Sequence, residues 1–253
     1  VDADEEATAV AGTWDSQAQK WLPVAANAVG VSLGNGDDIV VNDGGIVVSS
    51  VSDTLTAAYT SAWTRNTQSE ARSVGAATAK GISVGAGQNS VTNNGQVTVS
   101  ALGNAFPNTD SWSRDYTAST NSIAEASADA TGVEGDGDLA NSSSGVVAVT
   151  ARATTYACSN TEAETAEATA VANATATGMD AQTSAPAAQQ AENAQDLILN
   201  AGGITVSALA GEDANGNVQE IAYVDTDIWV RSCRAEAEGT AAADAAGIRV
   251  DDE

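Results

Sequence analysis

Carboxylates are the abundant titratable groups of this sequence, and the absence of histidine limits what they can do. Thirty-four aspartates and glutamates stand against nine lysines and arginines, with no histidine. Catalytic triads with an imidazole base, imidazole metal sites and imidazole acid–base chemistry are therefore excluded. What remains is chemistry by carboxylates alone, as in the paired acids of glycoside hydrolysis. The candidate pairs are Asp37 with Asp38 and Asp136 with Asp138. Both pairs lie in Gly/Asn-rich segments, where aspartate is favoured because its side chain hydrogen-bonds its own backbone. The turn reading is the stronger one, so no catalytic residue is assigned and no enzyme is expected.

The formal net charge of -25 disfavours nucleic acid and anionic lipid as partners. A hydrated, soluble surface accounts for such a charge; cross-linking by divalent cations is the competing account. No apolar run is long enough to span a bilayer and no signal-peptide pattern is present. Because residue 1 is a valine, the expectation is a processed secreted chain or an excised fragment. Cys158 and Cys233 are the only cysteines, two residues after Tyr156 and four after Trp229. Those offsets predict the same face of adjacent copies of one strand. A bridge across the interval from 158 to 233 would stabilise the fold by about 4–5 kcal/mol in the chain-entropy picture. It would also point to an oxidising, extracellular compartment; two buried free thiols are the alternative.

The elements that position these residues repeat. Five times a run of alternating alanines ends in glycine and an aliphatic residue: Gly30-Val31, Gly81-Ile82, Gly132-Val133, Gly178-Met179 and Gly247-Ile248. The step is 51 residues from 30 to 81 and from 81 to 132, then 46 (132 to 178) and 69 (178 to 247). An Asn/Gly turn leading into a valine-rich strand keeps the same beat at Asn42-Asp43-Gly44-Gly45, Asn94-Gly95, Gly145 and Gly202-Gly203. One aromatic per unit, Trp14, Trp63, Trp112, Tyr156 and Trp229, predicts a stacked aromatic ladder. Self-similarity at this period marks stacked units that cannot bury their apolar faces singly. The expected organisation is one domain, 1-253, with repeats at about 14-62, 63-111, 112-155 and 156-228 and a partial one at 229-253.

Period decides the secondary structure. From Ala166 to Ala176 every second residue is alanine, and the intervening positions are Glu167, Thr169, Val171, Asn173 and Thr175. Alternation of two predicts a strand and outweighs the helical preference of an Ala- and Glu-rich composition. Each glycine shifts the parity of the apolar positions, which predicts a corner using the φ values glycine tolerates. The predicted fold class is all-β: a parallel β-helix, or β-solenoid, of about four to five degenerate repeats of about 50 residues. Alanines would line a thin part of its core, and the valines and isoleucines after the turn a wider part. An immunoglobulin-like array is the rival architecture. Ala181 to Asp196 and Gly211 to Gln219 exceed the repeat length and are expected to project as surface excursions.

The turns Gly34-Asn35-Gly36-Asp37-Asp38, Gly85-Ala86-Gly87-Gln88-Asn89 and Gly135-Asp136-Gly137-Asp138 resemble fragments of the calcium-binding Gly-Gly-x-Gly-x-Asp repeat of secreted toxins. The resemblance implies Asp37, Asp38, Asn89, Asp136 and Asp138 as candidate Ca²⁺ residues. They lack the motif's first glycine and occur once per unit, so no cofactor is the preferred expectation. As a whole the repeats resemble the β-solenoid passenger and adhesin-type surface proteins of bacteria. Asn141-Ser142-Ser143 and Asn173-Ala174-Thr175 match the glycosylation sequon.

The alanine–glycine cassette restarts at Ala243 and stops a few residues later, and the sequence opens partway through a unit. Neither end reads as the polar cap a monomeric stack needs against edge-to-edge pairing. The expected function is an extracellular, cell-surface structural subunit that stacks head-to-tail on itself into a filament. The polymer junction is expected at Asp2, Asp4, Glu5 and Glu6 and at Gly247, Ile248, Val250, Asp251, Asp252 and Glu253. The alternatives are a monomeric adhesin segment binding a glycan or host surface and, third, a carboxylate-dependent polysaccharide-degrading enzyme.

Overall fold

The computed structural model describes residues 5–11, 13–15, 20–22, 24–62, 66–113, 118–161, 164–181, 197–211, 222–226 and 234–250. The chain repeats one circuit of strands. The first contains β1 (Glu5–Ala11), β2 (Thr13–Asp15), β3 (Lys20–Leu22), β4 (Val24–Ser32), β5 (Ile39–Asn42) and β6 (Gly45–Ala62). The second contains β7 (Thr67–Ser83), β8 (Ser90–Asn93) and β9 (Gln96–Ser113). The third contains β10 (Ala118–Gly135), β11 (Asp138–Asn141), β12 (Val146–Thr155) and β13 (Ala157–Thr161). The fourth contains β14 (Glu164–Ala181), β15 (Ile198–Asn200), β16 (Gly203–Ala210) and β17 (Ala222–Thr226), and β18 (Arg234–Val250) follows.

Like strands of successive circuits pair in parallel, so the molecule is all-β with three parallel sheets. The first holds β1 and β4 end to end along β7, then β10, β14 and β18. The second, short and four-stranded, runs β5, β8, β11, β15. The third runs β6, β9, then β12 with β13, then β16 with β17. Each repeat of about 50 residues thus gives one rung to each sheet; Ser83 and Glu134, 51 residues apart, are register partners. The antiparallel hairpin β2–β3, which pairs Trp14 with Trp21, interrupts the first rung between β1 and β4. Parallel pairing excludes the immunoglobulin-like rival, whose sheets are antiparallel.

Alternation places the core. Ala166, Ala168, Ala170, Ala172, Ala174 and Ala176 of β14 are all buried, while Glu167 and Asn173 between them are exposed. Facing these alanine columns, β6, β9 and β13 present small hydroxyl residues that bond across the thin interior. Thr56 Oγ1 meets Ser73 Oγ at 2.9 Å, Thr60 Oγ1 meets Ser69 Oγ at 2.8 Å, and Thr109 Oγ1 meets Ser122 Oγ at 2.9 Å. Paired in this way, the buried hydroxyls avoid the penalty of unsatisfied polar groups. Beyond the glycine column the interior widens. Ile82, Val133 and Met179 pack there with Val91 and Leu139 of the short sheet and with Val97, Val99, Val147 and Val149.

The corner expectation needs correction. The strands continue through Gly81, Gly132 and Gly178, and the described glycines with positive φ lie elsewhere: Gly36, Gly87, Gly135, Gly137 and Gly211. Glycine is required in the column by close approach. A Cβ on Gly132 would lie 2.5 Å from the Gly178 carbonyl oxygen and 3.0 Å from Val149 Cγ2, and against Val147 Cγ1 as well. The true turns are those between the first and second sheets, where Gly36 and Gly87 have φ of 144° and 147°.

Candidate functional site: side-chain ladders and open strand edges

Two polar columns tie the circuits together at the short sheet. In the first, Asn42 Nδ2 donates to Asn93 Oδ1 at 2.7 Å, Asn93 Nδ2 to Asn141 Oδ1 at 2.9 Å, and Asn141 Nδ2 to Asn200 Oδ1 at 2.9 Å. Asn93 and Asn141 are fully buried, so the ladder is both shielded and directional, each amide donating toward the C-terminal end. Asn141, read from the sequence as a sequon, has its amide nitrogen engaged inside the stack. Asn173, the other sequon, is exposed on the first sheet. The ladder itself was not anticipated. Its signal was an asparagine three residues before a third-sheet strand at Asn42, Asn93 and Asn200, obscured by the longer spacing after Asn141.

The second column is the candidate calcium turn. Asn89, buried, links three circuits. Its Oδ1 accepts the Asp38 N–H at 3.0 Å, its Nδ2 donates to the Gly85 and Asp136 carbonyls at 2.6 and 2.9 Å, and its carbonyl accepts the Asp138 N–H at 2.9 Å. Asp37 Oδ1 accepts the Gln88 N–H at 2.9 Å and Asp136 Oδ2 the Gly87 N–H at 3.4 Å. These five residues are therefore brought together, with the Asp37 and Asp136 carboxylates engaged by backbone donors of the neighbouring circuit. Among the described residues no three His, Cys, Asp or Glu side chains converge as a metal-ligand group.

The outer face of the first sheet carries a charge cluster near the glycine column. Glu134, buried, accepts from Lys80 Nζ at 2.6 Å and from Ser83 Oγ at 2.7 Å. Desolvation raises the Asp129 carboxyl above its ordinary range, while Lys80 nearby pulls it down. Desolvation also raises Asp110 in β9, opposed by its hydrogen bond to the Ser111 backbone. Arg72 pairs with Glu125 at 2.6 Å across β7 and β10.

The described aromatic positions of the series, Trp14, Trp112 and Tyr156, do not lie opposite one another in the pairing register. Trp112 is opposite Ser61, and Trp14 is opposite Trp21 in the hairpin. The N–H of Tyr156 bonds the Ala105 carbonyl at 3.1 Å, which sets Tyr156 beside Phe106 rather than Trp112. Trp63 and Trp229 lie outside the described residues. Cys158 pairs in register with Asn108 and Tyr223, and Cys233 lies outside the described residues. Most of the two predicted excursions also lies outside them, apart from Ala181, which ends β14, and Gly211.

Among the described residues β5 and β6 pair on one side only, as do β15, β16, β17 and β18 at the other end. Columns buried in the middle emerge there. Val133 and Met179 are 1% and 0% exposed, whereas Ile248 in the same column is 47% exposed; Ala243 and Ala245 are exposed where Ala174 and Ala176 are buried. A Cβ on Gly178 would strike the Gly247 oxygen at 2.5 Å, but one on Gly247 meets nothing within 4 Å. Of the predicted junction residues, Glu5 and Glu6 begin β1 opposite Thr67 and Gln68, while Val250 ends β18 opposite Ala181. Asp2, Asp4, Asp251, Asp252 and Glu253 lie outside the described residues. No described helix is long and apolar enough to cross a membrane. Comparisons with protein-family models, curated proteins and solved structures find no match to this chain.

Proposed function

We propose that the chain is a β-solenoid of stacked circuits and that it serves as an extracellular structural subunit, stacking head-to-tail into a filament. The observation that carries this reading is the repeated register: like strands of successive circuits pair in parallel, so each first-sheet strand offers the next the same alanine and glycine column. Strands far apart in the chain match in this way: Ala26, Ala28, Gly30 and Val31 have the spacing of Ala243, Ala245, Gly247 and Ile248. Open edges with unpaired backbone groups favour pairing with a further strand, and a directional, non-closing contact gives an open polymer. The role is structural, with no catalysis.

The acidic termini oppose the join, and salt or a hard divalent cation such as Ca²⁺ would relieve that opposition. Sedimentation velocity over a concentration series, in high salt or millimolar calcium, is expected to give species far above the 25.2 kDa chain. The polymers are expected to shorten in a low-salt chelating buffer. A chain that stays monomeric under every condition excludes the filament. The adhesin reading keeps one supporting observation, a row of exposed apolar side chains (Ile39, Val41, Val47, Leu55 and Tyr59) on the flank of the first circuit. Monomeric behaviour with glycan binding would favour it.

A further inference from the structure

We infer that Asn173 carries an N-linked glycan and that Asn141, in the other matching tripeptide, does not. The inference rests on the extracellular location proposed above, which the filament and the adhesin share, because such sugars are added on the secretory route. The reaction joins C1 of a sugar to the asparagine Nδ2. The C1–O bond to the diphosphate of a lipid-linked oligosaccharide breaks, the diphosphate leaves with the electron pair, and the amide gives up one proton. Both tripeptides, Asn141-Ser142-Ser143 and Asn173-Ala174-Thr175, have the required spacing. The transferring enzyme meets the chain before it folds, so a place within a strand does not bar the reaction. What the fold decides is whether a modified chain can still assemble.

With a sugar on Asn173 it can. β14 is an inner strand of the first sheet, paired with β10 on one side and β18 on the other, so the exposure of its outer face does not come from an unpaired edge. Asn173 is exposed, and among the described residues its side-chain amide has no hydrogen-bond partner. Its register partners are Ser127 and Ala242, both small and both exposed, and Ala76 lies beyond Ser127. A first sugar therefore lies over a row built of small side chains. Thr175, two residues on, shares the outer face with Asn173. With a sugar on Asn141 the chain cannot assemble. That residue is 1% exposed. Its Nδ2 donates to Asn200 Oδ1 at 2.9 Å and to the Gly203 carbonyl at 3.4 Å, and its Oδ1 accepts from Asn93 Nδ2 at 2.9 Å. Packing there is so close that a single Cβ on Gly202 would lie 2.7 Å from Asn141 Nδ2. A sugar on that nitrogen would break the amide ladder and force the short sheet apart. The glycan on Asn173, bulky and hydrated, covers the outer flank of the first sheet and leaves the stacking direction free.

The test expresses the full chain behind a secretion signal in a glycosylating eukaryotic host. Sugars are released with peptide N-glycosidase F in heavy-oxygen water, which converts each occupied asparagine to a labelled aspartate, and the sites are mapped by mass spectrometry in secreted and cell-retained chain. A label at Asn173 is expected in both fractions, with Asn141 unlabelled in the secreted one. Asn173 unlabelled in either fraction overturns the assignment, and Asn141 labelled in the secreted chain overturns its exclusion. A label on Asn141 confined to retained chain is the result the buried ladder requires. Thr175→Ala, which keeps Asn173 itself, is expected to abolish the label there, and a label that persists overturns the assignment. Ser143→Ala, which keeps Asn141 and its ladder, is expected to match or exceed the parent's secreted yield with the same sugar mass; a loss of sugar mass overturns the exclusion. Sedimentation of the secreted chain separates the two readings. A glycosylated monomer removes the filament and leaves the site, whereas an unglycosylated polymer removes the site and leaves the filament.

Discussion

Gly132→Ala adds one methyl group at a close approach between neighbouring rungs, and its cost can be worked from the geometry. The new Cβ would lie 2.5 Å from the Gly178 oxygen and 3.0 Å from Val149 Cγ2, against an ordinary contact of at least 3.4 Å. The carbonyl belongs to the neighbouring rung, so relief requires β10 and β14 to separate by several tenths of an ångström where both are hydrogen-bonded. Overpacking of this kind costs about 1–3 kcal/mol, and loss of glycine's unfolded-state freedom returns about 0.4–1 kcal/mol. A net destabilisation of about 1–2 kcal/mol is expected, equivalent to a fall of about 2–8 °C in Tm for a chain of this size. Gly247→Ala is the control: its Cβ meets nothing within 4 Å, so the same chemical change should be neutral or slightly stabilising. Thermal unfolding by circular dichroism, in low-salt chelating buffer to keep the chain dispersed, measures both. Equal Tm values for the two variants would refute the close-approach account of the glycine column.

Other expectations follow from single contacts. Asn93→Ala removes the central rung of the amide ladder and strands the Asn42 donor and the Asn141 acceptor; a loss of about 2–4 kcal/mol in urea unfolding is expected, and a loss below about 1 kcal/mol would mean the ladder is incidental. Lys80→Met leaves buried Glu134 with Ser83 as its remaining donor among the contacts described. Because Lys80 is one-third exposed, a cost of about 1–3 kcal/mol is expected, largely recovered in a Lys80→Met/Glu134→Gln double variant. Asp110 titrates above its unfolded value, so its contribution favours folding at low pH and declines as pH rises through the folded pKa. Asp110→Asn should therefore be more stable than the parent at pH 7, with the gain vanishing below the ordinary aspartate value of 3.8; a gain that grows on acidification would reverse the sign of the argument.

The strands were legible because alternation is a local property: β14 could be read from its alanines alone, against their helical preference. The glycine column was equally visible, but its cause was not. Sequence shows that a side chain is missing at Gly81 and Gly132, whereas the carbonyl that forbids one comes from a rung 51 or 46 residues away. The amide ladder was hidden for a related reason. Asn42 and Asn141 lie at turns, where asparagine has a sufficient local explanation, and only the pairing of β5, β8, β11 and β15 reveals that they face one another. Spacing alone does not set the aromatic register: Trp112 pairs with Ser61, 51 residues before it, whereas Trp63 stands 49 before it in the sequence.

The central claim is that copies of this chain continue one another's strand stack. Cryo-electron microscopy or fibre diffraction of the assembled protein measures it most directly. Strands perpendicular to the fibre axis and an axial spacing of about 4.8 Å are predicted. Fibres with no axial strand spacing, or only single dispersed chains, would contradict the account.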